Sequence, residues 1–502
     1  MGRQAQRGKS GGKSGGAPGG TALRDAARLF KAGRARDAAL ACSRIVSSDP
    51  ENGPALHLLG AIRFSLGEAE AGLELIDQAI LRQDDDPSFH CNRANILNRL
   101  RRFDEAVESC DRALALKPDY PDVYANLCNA LRGLGRLEEA VAAARKAIAL
   151  RPGYIEAHNL LANALKAEGR IAEALPVFDR VIAAKPDNAS AHFNRALALL
   201  TAGRFEEGWR EYEWRWRWPE FPSARPPKSV PLWDGKPRAD GTLLLWGEQG
   251  GGDTIQFVRY APLVRARCAR VVLAVRKEMM GLMAGAPGID RVVDRDDQAA
   301  SGETFAACAP LLSLPRLMGT TAETIPAEIP YLTAPEDTAA RWRDRLGTIE
   351  GRKIGLVWSG NPKHANDHHR SCRLADMAAL GDVRDAHFHA LQIGGPAAQA
   401  DAPPAGMTVE RLDGELDDFA DLAGALTALD LVVTVDTAPA HLAGALGRPV
   451  WLALPFSPDW RWQLGREDSP WYPGMRLFRQ ASPADWSGVF ERMAAALAEE
   501  KG

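Results

Sequence analysis

The sequence lacks the features that mark a secreted, membrane-spanning or disulfide-bonded protein. No apolar run approaches the ~18 residues of a membrane span, and the N-terminal stretch has no apolar core of a secretion signal. The seven cysteines form no C-x-x-C pair, which argues against a structural zinc site and a disulfide framework. We therefore expect a cytoplasmic protein without a membrane span.

The chain also lacks an excess of charge of either sign, because its formal net charge is only -3. Residues 1–20 form a basic, glycine- and serine-rich tail that we expect to be disordered. So small a net charge gives little reason to expect nucleic acid as the main partner. At 502 residues the chain is long enough for about three domains of roughly 150 residues.

An internal period of 34 residues runs through the first part of the chain. Its turn positions are Gly33, Gly67, Arg101, Gly135, Gly169 and Gly203. A small residue follows each turn five positions later, at Ala38, Gly72, Ala106, Ala140, Ala174 and Gly208, and prolines recur at Pro50, Pro118, Pro152 and Pro186. This register predicts helical hairpins in which the turn ends one helix, the small residue permits close packing and proline ends the second helix.

The period, the small residue and the terminal proline closely resemble the tetratricopeptide repeat, with about six copies over residues 21–216. The resemblance implies a superhelix whose concave face binds protein or peptide. Asparagines recur on the first helix of the repeats, at Asn92, Asn95, Asn126, Asn129, Asn159, Asn163 and Asn194. Two interpretations remain for them: hydrogen bonds to a bound peptide backbone, or polar packing between helices.

The repeats end in "GWREYEWRWRWPEFPSARPPKSVPLW", and we assign residues 217–240 to an aromatic, proline-rich linker. Arginines alternating with tryptophans are compatible with single-stranded nucleic acid. A cap on the last repeat needs no ligand and is the preferred interpretation.

From Thr242 short apolar runs alternate with helical segments, which predicts parallel sheets. The pattern restarts at "KIGLVW", so we expect two Rossmann-like halves, residues 241–340 and 341–502, with a ligand cleft between them.

The stretch "LLLWGEQGGGDTIQF" in the first half joins a strand to a helix through Gly250, Gly251 and Gly252. Bare backbone there permits close approach of a bulky substrate, and Gln256 follows on the same loop-to-helix segment. The stretch is neither G-x-G-x-x-G nor a P-loop. Asp253 is either a helix cap or a positioned base.

Two loops of the second half have the composition of an anion site. "VWSGNPKHANDHHRS" offers Ser359, Asn361, Lys363 and Arg370 after one strand. "LVVTVDTAPAHLAGALG" places Asp436 at the end of another strand, before a helix whose first amides and His441 suit an anion.

Three motifs together resemble the GT-B glycosyltransferases of the heptosyltransferase-like kind: Gly252-Asp253, the loop with Trp358, Ser359 and Lys363, and Asp436-Thr437 with His441. Repeats followed by such a fold are similar in plan to the O-linked N-acetylglucosamine transferases. The resemblance implies a tetratricopeptide superhelix followed by a GT-B fold. It also implies a nucleotide-sugar donor held by residues 341–502 and an acceptor entering from residues 241–340.

The roles that the resemblance implies divide between the halves. Asp253 is the candidate base, beside an acceptor loop of Gly250, Gly251, Gly252 and Gln256. Donor phosphate falls to Ser359, Asn361, Lys363, Arg370, Thr437, Ala438, Pro439, Ala440 and His441, so that no metal or other cofactor is required. The donor nucleoside falls to Asp417 and Asp436, with Glu415 and Asp421 as competitors of Asp417. Ala438 stands where a glycine is usual, and Pro439 removes one amide donor.

Two further groups stay open. His364, His368 and His369 suggest either a metal or contact with donor or acceptor, but their spacing matches no compact ligand set. Asp459, Arg461 and Arg466 either line the cleft or buttress the C-terminal half.

The sequence therefore predicts an inverting, metal-independent glycosyltransferase whose repeats recruit a protein acceptor. One alternative is a heptosyltransferase-like enzyme acting on glycolipid or polysaccharide. Another is a non-catalytic repeat scaffold with a nucleotide-sugar-binding module.

Overall fold

The computed structural model describes residues 18–297, 302–364 and 366–499, so residues 1–17 of the predicted tail lie outside the described residues. The chain divides into two compact units, one up to Ala164 and the other from Leu165 onward. None of the described helices combines the length and the apolar character that a membrane span requires.

The first part of the chain is an array of helices joined by short turns. In the described residues these helices are α1 (Pro18–Lys31), α2 (Ala35–Ser48), α3 (Gly53–Ser65), α4 (Ala69–Arg82), α5 (Pro87–Arg99), α6 (Phe103–Leu116), α7 (Pro121–Gly133), α8 (Leu137–Leu150), α9 (Ile155–Ala167), α10 (Ile171–Ala184), α11 (Ala189–Thr201) and α12 (Phe205–Tyr212). The predicted helical hairpins are confirmed.

The repeat register has a direct conformational cause. The five glycines at the turn positions and Arg101 all adopt positive φ, between 63° and 89°, a region that favours glycine because it has no Cβ. The small residues keep paired helices close. A Cβ on Gly72 would lie 2.8 Å from the carbonyl oxygen of Gly60, so a larger residue would force the two helices apart.

Three asparagines of the array donate to backbone carbonyl oxygens. Nδ2 of Asn126 donates to the carbonyl oxygen of Cys91 at 3.0 Å. Nδ2 of Asn163 donates to the Asn159 carbonyl oxygen at 3.0 Å, and Nδ2 of Asn194 to that of Ser190 at 2.9 Å. Each of these bonds uses one of the two amide hydrogens of its side chain, as polar packing predicts.

The rest of the chain alternates strands and short helices. The elements are β1 (Arg238–Trp246), α13 (Gly251–Phe257), α14 (Ala261–Arg265), β2 (Cys268–Val275), α15 (Met280–Met283), β3 (Arg291–Asp294), β4 (Ala307–Pro310), α16 (Leu314–Leu317), α17 (Glu336–Leu346), β5 (Arg352–Val357), α18 (Asp367–Arg370), β6 (Ala386–Ala390), β7 (Val409–Arg411), α19 (Phe419–Thr427), β8 (Leu431–Val435), α20 (Ala438–Ala445), β9 (Val450–Leu454), β10 (Met475–Arg479) and α21 (Trp486–Glu499).

The strands form two sheets in which every paired neighbour runs parallel. The first has the order β3-β2-β1-β4 and the second the order β10-β9-β8-β5-β6-β7. The direction of winding reverses between β1 and β4 and again between β5 and β8. Such switch points leave a crevice at the carboxyl ends of the strands, where open parallel sheets bind their ligands.

The end of the helical array is built into the same compact unit as the sheets. Trp209 of α12 packs against Trp460 and Trp471, with ring centroids 5.1 and 6.5 Å away. Arg215, which is fully buried, donates two hydrogen bonds to Glu248, from Nε at 2.9 Å and from Nη2 at 3.0 Å. The last helical hairpin therefore contributes to the core of the α/β region.

The predicted linker of residues 217–240 begins at the end of a 3-10 turn, Glu213–Arg217, and reaches into β1. The tryptophan-rich segment at its start is stacked on neighbouring side chains: Trp214 lies on His192 with centroids 3.7 Å apart, and the Arg217 guanidinium lies 4.4 Å from the Trp214 ring. Because both contacts come from this segment and the last hairpin, the structure supports the capping interpretation.

Candidate functional site

The switch points of the two sheets lie next to each other, because α13 of the first half packs against α20 of the second. α13 begins directly after the glycine loop that follows β1, and α20 begins directly after the loop that follows β8. The loop after β5 is joined to the one after β8 by Arg370, whose Nη1 donates to the carbonyl oxygen of Asp436 at 3.1 Å. The loops that follow β1, β5 and β8 thus lie close together, and we call the region where they meet the crevice.

The glycines of the first loop serve protein packing. A Cβ on Gly252 would lie 2.8 Å from Cδ2 of His441, and a Cβ on Gly251 would lie 2.7 Å from Cζ of Phe419. Gly250 has φ -76°, a conformation open to any residue. The space beside Gly251 and Gly252 that we expected a substrate to use is filled by side chains of the second half, which explains the need for glycine there.

Asp253 occupies the third position of α13 and caps the helix. Its Oδ2 accepts a hydrogen bond from the backbone N–H of Gly250 at 2.9 Å, as an N-terminal capping carboxylate does. Its Oδ1 accepts from Nη2 of Arg461 in a very short ion pair. Both carboxylate oxygens are therefore bonded in this structure, so the cap interpretation describes what Asp253 does here.

Arg461 joins the two halves at the centre of the crevice. Besides the bond to Asp253, its Nε donates to Oε1 of Gln256 at 2.5 Å and its Nη1 to Oδ1 of Asp459 at 2.8 Å. The guanidinium lies 4.4 Å from the Trp460 ring, and its side chain is 9% exposed. The sequence left open whether Arg461 lines the cleft or buttresses the second half; in the structure its guanidinium bonds to Asp253 and Gln256 of the first half and to Asp459 of the second.

The residues of the loop after β5 differ in their exposure and in their hydrogen bonds. The backbone N–H groups of Trp358 and Ser359 donate to Oε1 of Gln392, at 3.1 and 2.8 Å, so Gln392 determines the path of the loop. Lys363 is exposed, and its backbone N–H donates to the Asn361 side chain at 3.0 Å. The Ser359 and Lys363 amides are thus already bonded within the protein.

The start of α20 offers fewer donors than expected. Thr437 is the N-cap residue and directs its Oγ1 to the carbonyl oxygen of Val435 at 3.1 Å. Pro439 has no N–H, and the N–H of Ala440 donates to the Thr437 carbonyl oxygen at 3.1 Å. Of the predicted run of amides from Thr437 to Ala440, only those of Thr437 and Ala438 remain for an anion.

His441 and Asp436 have strongly altered proton affinities. Burial, together with the nearby Arg461, Arg259 and Arg370, lowers the pKa of His441 well below its usual 6.5. His441 is therefore neutral at physiological pH, and its Nδ1 lies 2.9 Å from the Tyr472 hydroxyl. Burial and the neighbouring Asp459 raise the pKa of Asp436 to about 6.

The three carboxylates considered for the donor ribose differ in their bonding. Asp421 is buried and pairs with Nη2 of Arg341 at 2.6 Å. Glu415 pairs with Nη2 of Arg345 at 3.2 Å. Asp417 is exposed and lies just before the N-cap of α19. Among the three, Asp417 alone presents an exposed carboxylate without a described ion pair.

The histidine-rich loop does not assemble a metal site in the part of the chain that the structure describes, where no group of three or more His, Cys, Asp or Glu side chains is suitably arranged. The rings of His368 and His369 lie 3.8 Å apart. Burial and Arg370 lower the pKa of His364, whose Nδ1 accepts from the backbone N–H of Asn366 at 3.2 Å.

Sequence reasoning missed the central place of Arg461, the support from Gln392, and the link from the array to the glycine loop. Oε1 of Glu248 also accepts from the backbone N–H of Leu312 at 3.0 Å, and Nε2 of Gln249 donates to the Tyr212 hydroxyl at 2.9 Å. The glycine loop is therefore held by the last repeat. The sequence signal for these contacts was the aromatic- and arginine-rich composition of the segments that contain Arg215 and Arg461. Composition alone does not specify which residues such side chains contact.

Comparison with known proteins bears most directly on the array. One tetratricopeptide family model matches residues 58–121 and 159–213, and a second matches residues 98–164. A curated relative is the protein FlbA of Caulobacter vibrioides, 28% identical over 326 residues, with 58% of this chain and 52% of FlbA covered. The chain thus spans about half the length of that relative.

Solved structures similar to the chain also correspond to about a third of it. They include MamA, with 21% identity, 33% of this chain and 96% of MamA covered, and a TM-score of 0.29. A thermophilic tetratricopeptide protein of Thermus thermophilus has 22% identity, 36% and 99% coverage, and a TM-score of 0.33. YrrB, described as having an unusual peptide-binding site, has 20% identity, 35% and 91% coverage, and a TM-score of 0.30. The helical array of this chain consists of tetratricopeptide repeats.

Proposed function

We propose that the chain is a repeat-bearing glycosyltransferase of GT-B type that moves a sugar from a nucleotide donor to a hydroxyl of a protein acceptor. The observation that carries the proposal is the juxtaposition of two sheet switch points through α13 and α20. A carboxylate, Asp253, comes from one side, and the cations Arg370 and Arg461 come from the other.

The chemistry of sugar transfer matches that distribution of charge. Displacement at an anomeric carbon needs a base for the acceptor proton, and Asp253 is the carboxylate of the acceptor half. It also needs positive charge near the departing phosphate, which Arg370 and Arg461 would supply from the crevice and the exposed Lys363 from the loop after β5. The neutral His441 adds no charge, so the arginines take the role that was expected to include the histidine.

The repeats supply the second part of the proposal. Tetratricopeptide arrays bind peptides or proteins along their curved surface. The buried pair between Arg215 and Glu248 joins the last hairpin to the glycine loop. A protein bound by this last hairpin would therefore be held by an element that contacts the acceptor side of the crevice.

A second function, binding without turnover, is favoured by a specific observation. Both carboxylate oxygens of Asp253 are already bonded, one to the Gly250 amide and one to Arg461. In this second function Asp253 serves as the cap of α13 and as the partner of Arg461. The chain would then act as a protein-binding scaffold with a nucleotide-sugar-binding module.

The two functions separate in a panel of nucleotide sugars assayed for binding and turnover. Binding is followed as an increase in melting temperature, since a ligand that binds only the folded state stabilises it. For a transferase we expect one donor to stabilise the wild type and to be hydrolysed or transferred, Asp253→Asn to bind it without turnover, and Lys363→Ala to bind it more weakly. Lys146→Ala, at an exposed lysine of α8, is the matched control.

Each negative result has its own meaning. Donor-dependent stabilisation of the wild type without turnover on any acceptor would support the binding module. If Asp253→Asn turned over as fast as the wild type, Asp253 would not be the base. If no nucleotide sugar stabilised the wild type, the proposal of a glycosyltransferase would fail.

A further inference from the structure

Arg461 is the best-bonded cation of the crevice, and its partners are unusual for a purely structural arginine. It faces two carboxylates, those of Asp253 and Asp459, and one neutral amide, that of Gln256. Asp253 and Gln256 belong to α13 of the first half, whereas Arg461 and Asp459 belong to the loop after β9 of the second. The pair between Arg461 and Asp253 therefore crosses the crevice.

The charges around Arg461 differ from those of the other cations. Arg370 shares one carboxylate, that of Asp367 at 3.3 Å, and otherwise bonds to a backbone carbonyl oxygen. Arg461 alone among these cations is directly bonded to the candidate base. A planar guanidinium also binds phosphate oxygens with the same paired N–H groups with which it binds carboxylates.

Resting on the proposed function, we propose that Arg461 is a donor-binding residue and that donor phosphate displaces Asp253 from it. Before the donor binds, Asp253 is held by Arg461 and is not available as a base. When phosphate takes the Nη2–H of Arg461, Oδ1 of Asp253 is released beside the acceptor position. The enzyme would then bind donor before it activates acceptor.

The proton and electron balance of the step follows from this exchange. The acceptor hydroxyl gives its proton to Oδ1 of Asp253, and its oxygen forms the new bond to the anomeric carbon. The bond between that carbon and the phosphate oxygen breaks, and its electron pair leaves with the phosphate. Arg461, now bonded to that phosphate, stabilises the charge that develops on it.

The displacement of Asp253 from Arg461 by phosphate can be measured without knowing which sugar the donor carries. Inorganic pyrophosphate, titrated into the full chain by calorimetry, is the probe. We expect Asp253→Asn to bind pyrophosphate about tenfold more tightly than the wild type, because the competing carboxylate is gone. We expect Arg461→Gln to bind about tenfold or more weakly, because the charged fork is gone.

The double variant separates competition from simple repulsion. If Asp253 competes for Arg461, the tightening caused by Asp253→Asn disappears when Arg461 is already Gln. If Asp253 only repels the anion, the same tightening persists in the double variant, and the proposal is wrong. Asp468→Asn is the matched control, because Asp468 is 70% exposed and pairs with Arg466; it should change pyrophosphate affinity less than about twofold.

The proposal can be tested even if the Arg461→Gln variant fails to fold. Circular dichroism and the melting temperature show whether Arg461→Gln is folded, and Asp253→Asn alone already refutes the proposal if it fails to bind pyrophosphate more tightly. Failure of the inference also differs from failure of the proposed function. Arg461-dependent pyrophosphate binding without nucleotide-sugar binding would overturn the proposed function and leave Arg461 as a phosphate-binding residue only. Nucleotide-sugar turnover that is insensitive to Arg461→Gln would overturn the inference alone.

Discussion

The buried pair between Arg215 and Glu248 gives the sharpest prediction about stability. Both side chains are 0% exposed, and Glu248 accepts two hydrogen bonds from Arg215 and one from the Leu312 amide. Glu248→Gln keeps the shape of the side chain and removes its charge. The guanidinium is then left buried with Glu213 as its remaining carboxylate partner, at 2.9 Å.

The size of the effect follows from that remaining partner. Removing one member of a buried ion pair costs about 3–5 kcal/mol, and the contact with Glu213 places the expected loss near the lower value, about 3 kcal/mol. With a urea dependence of roughly 3 kcal/mol per molar, the unfolding midpoint should fall by about 1 M. Replacing both residues, as in Arg215→Met with Glu248→Leu, should recover most of the loss because no unpaired charge stays buried.

Tryptophan fluorescence is the suitable readout. All 13 tryptophans lie between Trp209 and Trp486, within the compact unit that begins at Leu165. The control is Glu220→Gln, at an exposed glutamate, which should change the free energy of unfolding by less than about 0.5 kcal/mol. If Glu248→Gln changed it as little as this control does, the pair would not be desolvated, and the last hairpin would not be anchored as described.

Three further predictions test the crevice and the unit boundaries. Gly252→Ala places a Cβ 2.8 Å from His441 Cδ2 and should lower the free energy of unfolding in urea by about 1–3 kcal/mol. The control Gly285→Ala, whose Cβ meets no atom within 4 Å, should not lower it. Equal effects of the two substitutions would contradict the packing of α13 on α20. Because burial raises the pKa of Asp436 from 3.8 to about 6, its contribution to stability is present below about pH 4 and is lost as the pH rises through 6. Asp436→Asn should therefore raise the free energy of unfolding by about 3 kcal/mol at pH 7.5 but not at pH 4, because each pKa unit corresponds to about 1.36 kcal/mol. A gain that is the same at both pH values would refute the shifted pKa. Removal of residues 1–153 should leave the unfolding transition, monitored by tryptophan fluorescence, cooperative. Removal of residues 1–220 takes away Trp209 and its contacts, so it should broaden the unfolding transition or cause aggregation.

Patterns that repeat along the chain were sufficient to predict most elements. The 34-residue period predicted the helical hairpins, because a positive φ at every turn and a small residue at every close contact recur in the sequence. Strands rich in valine and leucine, such as β2 and β8, were also recognised. The strands β4, β7 and β10 are harder to recognise, since they are only three to five residues long and two of them contain charged residues.

The candidate site was predicted less completely than the fold. The sequence alone identified the loops that end β1, β5 and β8, because polar and glycine residues after buried strands form a local pattern. It did not identify Arg461 as the partner of Asp253, since 208 residues separate them. Nor did it show that Gly252 is needed for contact with His441, since the spacing of glycines says nothing about what faces them.

The amino-acid sequence by itself determined the tetratricopeptide array, the two runs of parallel strands and the positions of the loops at strand ends, because each depends on residues that are neighbours in the chain. Only the tertiary structure decided which charges meet, that burial lowers the pKa of His441 and raises that of Asp436, and that the last hairpin belongs to the α/β unit. These properties depend on burial and on contacts between distant segments. Desolvation and long-range ion pairing act through space, so no local pattern specifies them.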